Sequence, residues 1–156
     1  MIKYIFNMQK EQELPERIKL FSDAISNCIK RGLALDSKQP GEVIPWEEFR
    51  QLNLTFDFGN QRYGVNLKEI SQSSPEVIAF LERLIKARQE EREEPGQWKA
   101  FLDETSELSD EFFNQPLGQF EDPNVRPITL SQLNMSLLTI LDKGVVFHFN
   151  SNHKNE

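Results

Sequence analysis

A double alternation between residues 54 and 67 limits the fold more than any other feature of the chain. Apolar residues occupy alternate positions on both sides of Gly59-Asn60: Leu54, Phe56, Phe58, Tyr63, Val65 and Leu67. Side chains with this spacing fall on one face of a strand, and a Gly-Asn pair provides the chemistry of a tight turn. The segment therefore predicts a β-hairpin with one buried face.

Two registers of this hairpin are compatible with the sequence. A two-residue turn pairs Phe56 with Tyr63 and places Asp57 opposite Arg62. A four-residue loop pairs Phe58 with Tyr63 instead. Both registers keep the same apolar face, so the pattern predicts the hairpin but leaves its register open.

Helical spacing of apolar residues recurs through the rest of the chain. It predicts helices over these segments: Pro15 to Arg31, a short one from Pro45, Ser74 to Glu94, Gln97 to Phe113, and Thr129 to Gly144. Thr105-Ser106 could divide the fourth of these into two shorter helices. Thr129 and Gln132 have the spacing of a capping box, which favours the last helix. The competing interpretation makes residues 137–149 a hairpin that turns at residues 142–144.

Alternating residues at both ends of the chain predict two further strands, Met1 to Met8 and Val145 to Phe149. We therefore expect an α+β fold: a small antiparallel sheet that contains the 54–67 hairpin and the terminal strands, packed by three or four helices. Residues 1–149 are expected to form a single domain. The polar residues 150–156 are expected to be a flexible tail.

Negative charge is concentrated in one stretch, residues 90–122, which we call the acidic segment. It holds eleven carboxylates and two cations, Arg92 and Lys99, and so has a net charge of −9 in a chain whose total is −7. The remainder of the chain therefore sums to +2. A field of one sign gathered in one place has consequences for partners and cations that evenly spread charge lacks.

Composition excludes several classes of function. No Lys/Arg cluster is longer than Lys30-Arg31, which argues against nucleic-acid binding. No apolar run approaches a membrane span, and residues 1–7 lack the features of a signal peptide. The single cysteine, Cys28, cannot form an intramolecular disulfide and fits a reducing compartment, so we expect a cytoplasmic protein.

Nucleophilic catalysis has little support in the sequence. Cys28 falls on the apolar side of the first predicted helix, which indicates a buried structural thiol. His148 lies within the last predicted strand and His153 in the tail, and structural or exposed histidines are the simplest interpretation of both. A Cys/His zinc site would need more ligands than the chain has.

Carboxylates are the only plentiful reactive groups, and they match a metal-binding pattern. Residues 90–94 fit E-E-x-x-E, and Glu107 and Asp110 fit E-x-x-D. This pattern resembles the magnesium-binding signature of the all-α nucleoside triphosphate pyrophosphohydrolases. The resemblance implies a divalent-metal-dependent phosphohydrolase in which Mg²⁺ is held by Glu91, Glu94, Glu107 and Asp110. The predicted strands depart from that all-helical family, so this function is the alternative interpretation, and no cofactor is expected under the leading one.

The leading hypothesis is a non-enzymatic interaction or regulatory module that presents the acidic segment to a basic protein partner. On a helix over residues 97–113, the aromatic and acidic residues fall on opposite sides. An exposed apolar stripe would anchor a partner, and the acids would form a steering rim. The predicted partner-binding residues are Trp98, Phe101, Asp103, Glu104, Glu107, Asp110, Glu111 and Phe112. The alternative for the same stripe is ordinary core, and a third possibility is that it joins copies of a homo-oligomer.

Overall fold

A computed structural model describes residues 16–33 and 43–149. The predicted strand over residues 1–8 and the predicted tail over residues 150–156 lie outside this part of the chain. The helices are α1 (Glu16–Gly32), α2 (Trp46–Phe49), α3 (Leu67–Ser73), α4 (Pro75–Glu90), α5 (Gln97–Glu104), α6 (Asp110–Phe113) and α7 (Leu130–Asp142). The strands are β1 (Val43–Pro45), β2 (Asn53–Phe58), β3 (Gln61–Asn66), β4 (Val125–Pro127) and β5 (Val146–His148).

The predicted α+β class is confirmed, but the predicted sheet and helix count are wrong in detail. The described strands form two small sheets, ordered β1-β5 and β2-β3-β4, and only the β2–β3 pair is antiparallel. Seven helices are present in the described residues. The predicted last strand pairs in parallel with β1 and does not join the hairpin. Alternation shows that a segment is extended, but it carries no information about its partner.

The hairpin is confirmed, and the structure selects one of its two registers. A two-residue turn joins β2 to β3, so Phe56 lies opposite Tyr63 and Asp57 lies opposite Arg62. The Arg62 Nε is 2.8 Å from the Asp57 Oδ1. This hydrogen bond and the charge of the guanidinium lower the pKa of the Asp57 carboxyl. The ion pair between Asp57 and Arg62 thus favours one of the two registers that share the same apolar face.

Two short elements beside the hairpin were not predicted. Leu67, predicted as the last apolar residue of the hairpin, is the first residue of α3, and the Asn66 side chain caps this helix by accepting from the Glu69 amide at 3.0 Å. β4 runs parallel to β3 in a stretch for which the sequence predicted neither a helix nor a strand. Gly64 permits close packing here, because a Cβ at this position would lie 2.5 Å from Phe120 Cζ and 3.0 Å from Cγ1 of Val125 in β4.

The two helices predicted over Pro15 to Arg31 and Thr129 to Gly144 are confirmed as α1 and α7 in the described residues. Both halves of the predicted capping box form at Thr129 and Gln132, and α7 is a helix and not the arm of a hairpin. Helices α1 and α7 pack together, and the hydroxyls of Ser22 and Ser136 lie 3.2 Å apart between them. Their buried faces join those of α4 and the hairpin in one apolar core.

In the described residues, no helix combines the length and the apolar character needed to cross a membrane.

Candidate functional site

The acidic segment starts at the last residue of α4, passes through α5 and α6, and ends in the loop before β4. The predicted helix over residues 97–113 is interrupted, as the Thr105-Ser106 alternative proposed. The Thr105 hydroxyl donates to the Phe101 carbonyl at 2.8 Å, and α5 ends at Glu104. α6 begins after Ser109, whose hydroxyl accepts from the Phe112 amide. The break separates Asp103 and Glu104 on α5 from Asp110 and Glu111 on α6.

Glu91 organises the start of α5. α4 ends at Glu90 and not at Glu94 as predicted, and the Glu91 carboxylate accepts from the amides of Trp98 at 2.9 Å and Gly96 at 3.1 Å. Gly96 has a φ of 107°, which only glycine adopts without strain. The hydrogen bonds from Trp98 and Gly96 lower the pKa of the Glu91 carboxyl. Glu91 therefore supplies the amides at the N-terminus of α5 with an acceptor.

The apolar stripe of residues 97–113 packs on the protein's own core, and Phe101 is its fully buried member. Phe101 is 1% exposed, and its ring lies 5.5 Å from that of Phe80 and 5.3 Å from that of Trp98. Phe101 was predicted to contact a partner, and its burial removes it from any accessible surface. The predicted helical spacing of the apolar residues was correct. Such spacing does not distinguish a face that packs on the same domain from one that packs on another protein.

Trp98 and Phe112 are half-buried at the margin of this core. The guanidinium of Arg88 lies 4.8 Å from the centre of the Trp98 ring, a cation–π contact between α4 and α5. The Phe112 ring meets the Phe80 ring edge-on at 5.5 Å. Both side chains therefore have intramolecular packing and also an accessible edge.

Two of the predicted partner-binding acids have cationic neighbours within the chain. Lys99 Nζ lies 3.3 Å from the Asp103 carboxylate, and Arg83 on α4 forms an ion pair with Glu104. All four side chains are largely exposed. Exposed pairs of this kind contribute roughly 0–1 kcal/mol to the stability of the fold. Their main effect here is to offset the negative charge of Asp103 and Glu104.

The other predicted acids remain at the surface. Glu107, Asp110 and Glu111 are all exposed. Among residues 16–33 and 43–149, neither Glu107 nor Glu111 forms an ion pair. Their like charges lie within one short stretch, so a positive group brought from outside would relieve repulsion.

The carboxylates of the alternative metal site are not brought together. In the described part of the chain, no group of three or more His, Cys, Asp or Glu side chains could hold a metal ion. Glu91 is engaged by main-chain amides, and Glu94 lies in the turn that follows α4. The i, i+3 pattern requires a continuous helix on each side, and α4 ends before Glu91.

Cys28 and His148 have the structural placement that the sequence predicted. Cys28 is buried and unpaired by any disulfide, and burial raises the pKa of its thiol. His148 is an exposed residue of β5. Neither residue has the activated environment of a nucleophile or base.

One pocket was missed by sequence reasoning. It lies between α1, the hairpin and the start of α7, and has a volume of about 360 Å³. Its polar lining includes Arg17, Tyr63 and Ser131, which come from three separate elements. No spacing in the sequence links these residues, so only the tertiary structure reveals them.

Comparisons of the chain with protein-family models, with curated proteins and with solved structures give no significant match.

Proposed function

We propose that the protein is a non-enzymatic interaction or regulatory module that presents its acidic segment to a basic protein partner. The observation that supports this proposal is the placement of Glu107 and Glu111. Both are exposed, and neither forms an ion pair within the described residues. Charge that the described residues leave without an ion pair is available to a partner.

The two cations of the acidic segment are engaged locally. The Arg92 guanidinium donates to the Leu141 carbonyl at 3.0 Å, and Lys99 pairs with Asp103. Arg83 of α4 offsets a further carboxylate, that of Glu104. These contacts leave most of the segment's negative charge in place, and its field extends over about a Debye length, roughly 10 Å at 0.1 M salt.

Burial of Phe101 changes how the acids are expected to act. Because this ring lies in the core, α5 presents Asp103 and Glu104 at the surface and is not an apolar anchor, and Glu107 and Glu111 lie beyond its end. Only the accessible edges of Trp98 and Phe112 would add apolar contact. In binding of this kind, complementary charge mainly raises the specificity and the association rate. Buried area contributes less to the affinity.

The proposal includes a cytoplasmic location. Its support is Cys28, a buried free thiol in a chain without another cysteine. Thiols of this kind are typical of reducing compartments.

A capture experiment tests the proposal. The bait is the full chain, and the comparison variant is Glu107→Gln/Glu111→Gln. The matched control is Glu48→Gln/Glu76→Gln, which removes two exposed carboxylates in first turns of helices outside the acidic segment. We expect a protein with a basic surface to be captured by the wild type and the control at about 0.1 M salt. Capture should be strongly reduced for the Glu107/Glu111 variant, and for all baits at about 1 M salt, where the Debye length is roughly 3 Å.

Equal capture by both double variants would contradict the proposal. So would a partner that stays bound at high salt. Circular dichroism of each bait establishes that the variants are folded, so that lost capture reports on charge.

A further inference from the structure

A second surface feature, independent of the acidic segment, has the properties of a ligand site. It is the pocket of about 360 Å³ between α1, the hairpin and the start of α7. Small-molecule sites are typically concave, mostly apolar and of roughly 300–1,000 Å³, with a few polar groups that fix orientation. The pocket meets each of these conditions.

The floor of the pocket is aromatic and apolar. The Phe21 ring lies 5.0 Å from the Phe58 ring and 4.7 Å from the Tyr63 ring, both in edge-on geometry. Ile18 and Met135 complete the apolar lining. Rings arranged in this way present both faces and edges, and so favour a planar aromatic group.

Among the described residues that line the pocket, Arg17 is the one with a charged side chain, and none is a carboxylate. The Arg17 guanidinium lies 5.0 Å from the centre of the Phe58 ring. It forms no ion pair with the described residues. Arg17 therefore gives the pocket a positive group without an ion-pair partner among the described residues, and such a group favours an anionic ligand atom.

Two of the hydroxyls that line the pocket are those of Tyr63 and Ser131. Ser131 is 8% exposed and lies in the first turn of α7, a helix of 13 residues, where amides and the helix dipole favour negative charge. Neither Ser131 nor Tyr63 forms a side-chain hydrogen bond with a described residue. Both hydroxyls line the pocket and can donate a hydrogen bond to a polar ligand atom there.

We propose that this pocket binds a small carboxylate with an aromatic body. The carboxylate pairs with Arg17 and accepts hydrogen bonds from Ser131 and Tyr63. The aromatic ring packs on Phe21, Phe58 and Met135. The charged guanidinium and the two hydroxyls select the anion, because hydrogen bonds to a charged group are stronger than neutral ones.

Titration of the full chain with 3-phenylpropionate and with its neutral analogue 3-phenylpropionamide tests this proposal, with amide chemical shifts as the readout. We expect saturable binding of the carboxylate, with shift changes centred on Phe58, Ser131 and Met135. The amide should bind at least about tenfold more weakly, since it lacks the charge that Arg17 recognises.

Variants separate the charged contact from the apolar one. Arg17→Gln should weaken the carboxylate by about tenfold and leave the amide unchanged. Lys19→Gln, an exposed change on the same helix that is not in the pocket lining, should affect neither. Met135→Trp should abolish binding of both by filling the pocket.

Three results would overturn the proposal: binding that does not saturate, equal affinity for carboxylate and amide, or equal effects of the Arg17 and Lys19 changes. Arg17 is exposed, so the first variant does not depend on repacking of the core. No protein partner enters these titrations, and their outcome is independent of the function proposed for the acidic segment.

Discussion

The side-chain amide of Gln89 binds both main-chain polar groups of Phe147. Its Oε1 accepts from the Phe147 amide, and its Nε2 donates to the Phe147 carbonyl at 3.3 Å. Gln89 lies on α4 and Phe147 in the middle of β5, whose other neighbour is β1. The glutamine thus occupies the place of a third strand and closes an edge that would otherwise be open to another chain.

Loss of this contact should be costly. Gln89→Ala leaves the amide and carbonyl of buried Phe147 without these partners, and we expect the free energy of unfolding to fall by about 1–3 kcal/mol. Urea denaturation measures the change. Gln51→Ala, at an exposed glutamine without a side-chain hydrogen bond to a described residue, is the control and should alter stability little. Equal stability of the two variants would show that Gln89 does not secure β5.

Stability near the start of α5 should depend on pH through Glu91. Its pKa is lowered in the folded state, below the ordinary value of 4.5, by hydrogen bonds from Trp98 and Gly96. A lowered carboxyl pKa contributes stability at pH values above the unfolded-state pKa, and this contribution is lost as pH falls through the folded-state pKa. We therefore expect wild-type stability to decrease on acidification below about pH 4.5 more steeply than that of Glu91→Gln.

The neighbouring carboxylate provides the control for this experiment. Glu90→Gln changes an exposed residue whose side chain has no hydrogen bond to a described residue. Its thermal midpoint should follow the wild type at every pH. A Glu91→Gln profile that is parallel to the wild type from neutral to acidic pH would contradict the assigned role of Glu91 as a cap.

Phe101 should act through stability and not through partner contact. Removal of a fully buried phenylalanine ring costs about 3–5 kcal/mol, so Phe101→Ala should lower the thermal midpoint sharply. Phe112→Ala removes a half-buried ring from the same stripe and should cost less. If the two variants were equally stable, or if Phe101→Ala resembled the wild type, the stripe could not be part of the core.

Local signals in the sequence predicted local structure well. The hairpin, its Gly59-Asn60 turn and the Thr129–Gln132 capping box are each specified by residues a few positions apart, and each is confirmed. The parallel pairs β1–β5 and β3–β4 were missed, because their partners are far apart in sequence and each pair joins only three residues of each strand. Two parallel strands must be joined by a long connection. A short sequence pattern therefore does not indicate which strand will pair with which.

The same limit applies to the acidic segment. Lys99 and Asp103 are four residues apart on α5, and their pairing could be anticipated from helical spacing. Arg83 and Glu104 belong to different helices, so their ion pair depends on how α4 packs against α5. Amphipathic spacing likewise identified the apolar stripe that contains Phe101. It did not show that this ring is buried in the core of the same domain.

The exposed charge of the segment should govern the rate at which it meets a partner. For the basic protein that the wild type captures, the association rate constant should fall as salt is raised from about 0.1 M to 1 M, and the dissociation rate should change little. Neutral substitution at Glu107 and Glu111 should lower the rate constant at low salt and flatten this dependence.

Stopped-flow measurement of that association rate against salt concentration, with wild type, Glu107→Gln/Glu111→Gln and Glu48→Gln/Glu76→Gln, is the most direct test that the acidic segment meets a basic surface. The predicted result is a steep salt dependence for the wild type and the Glu48/Glu76 control, and a shallower one for the Glu107/Glu111 variant. The same slope for all three proteins would contradict it.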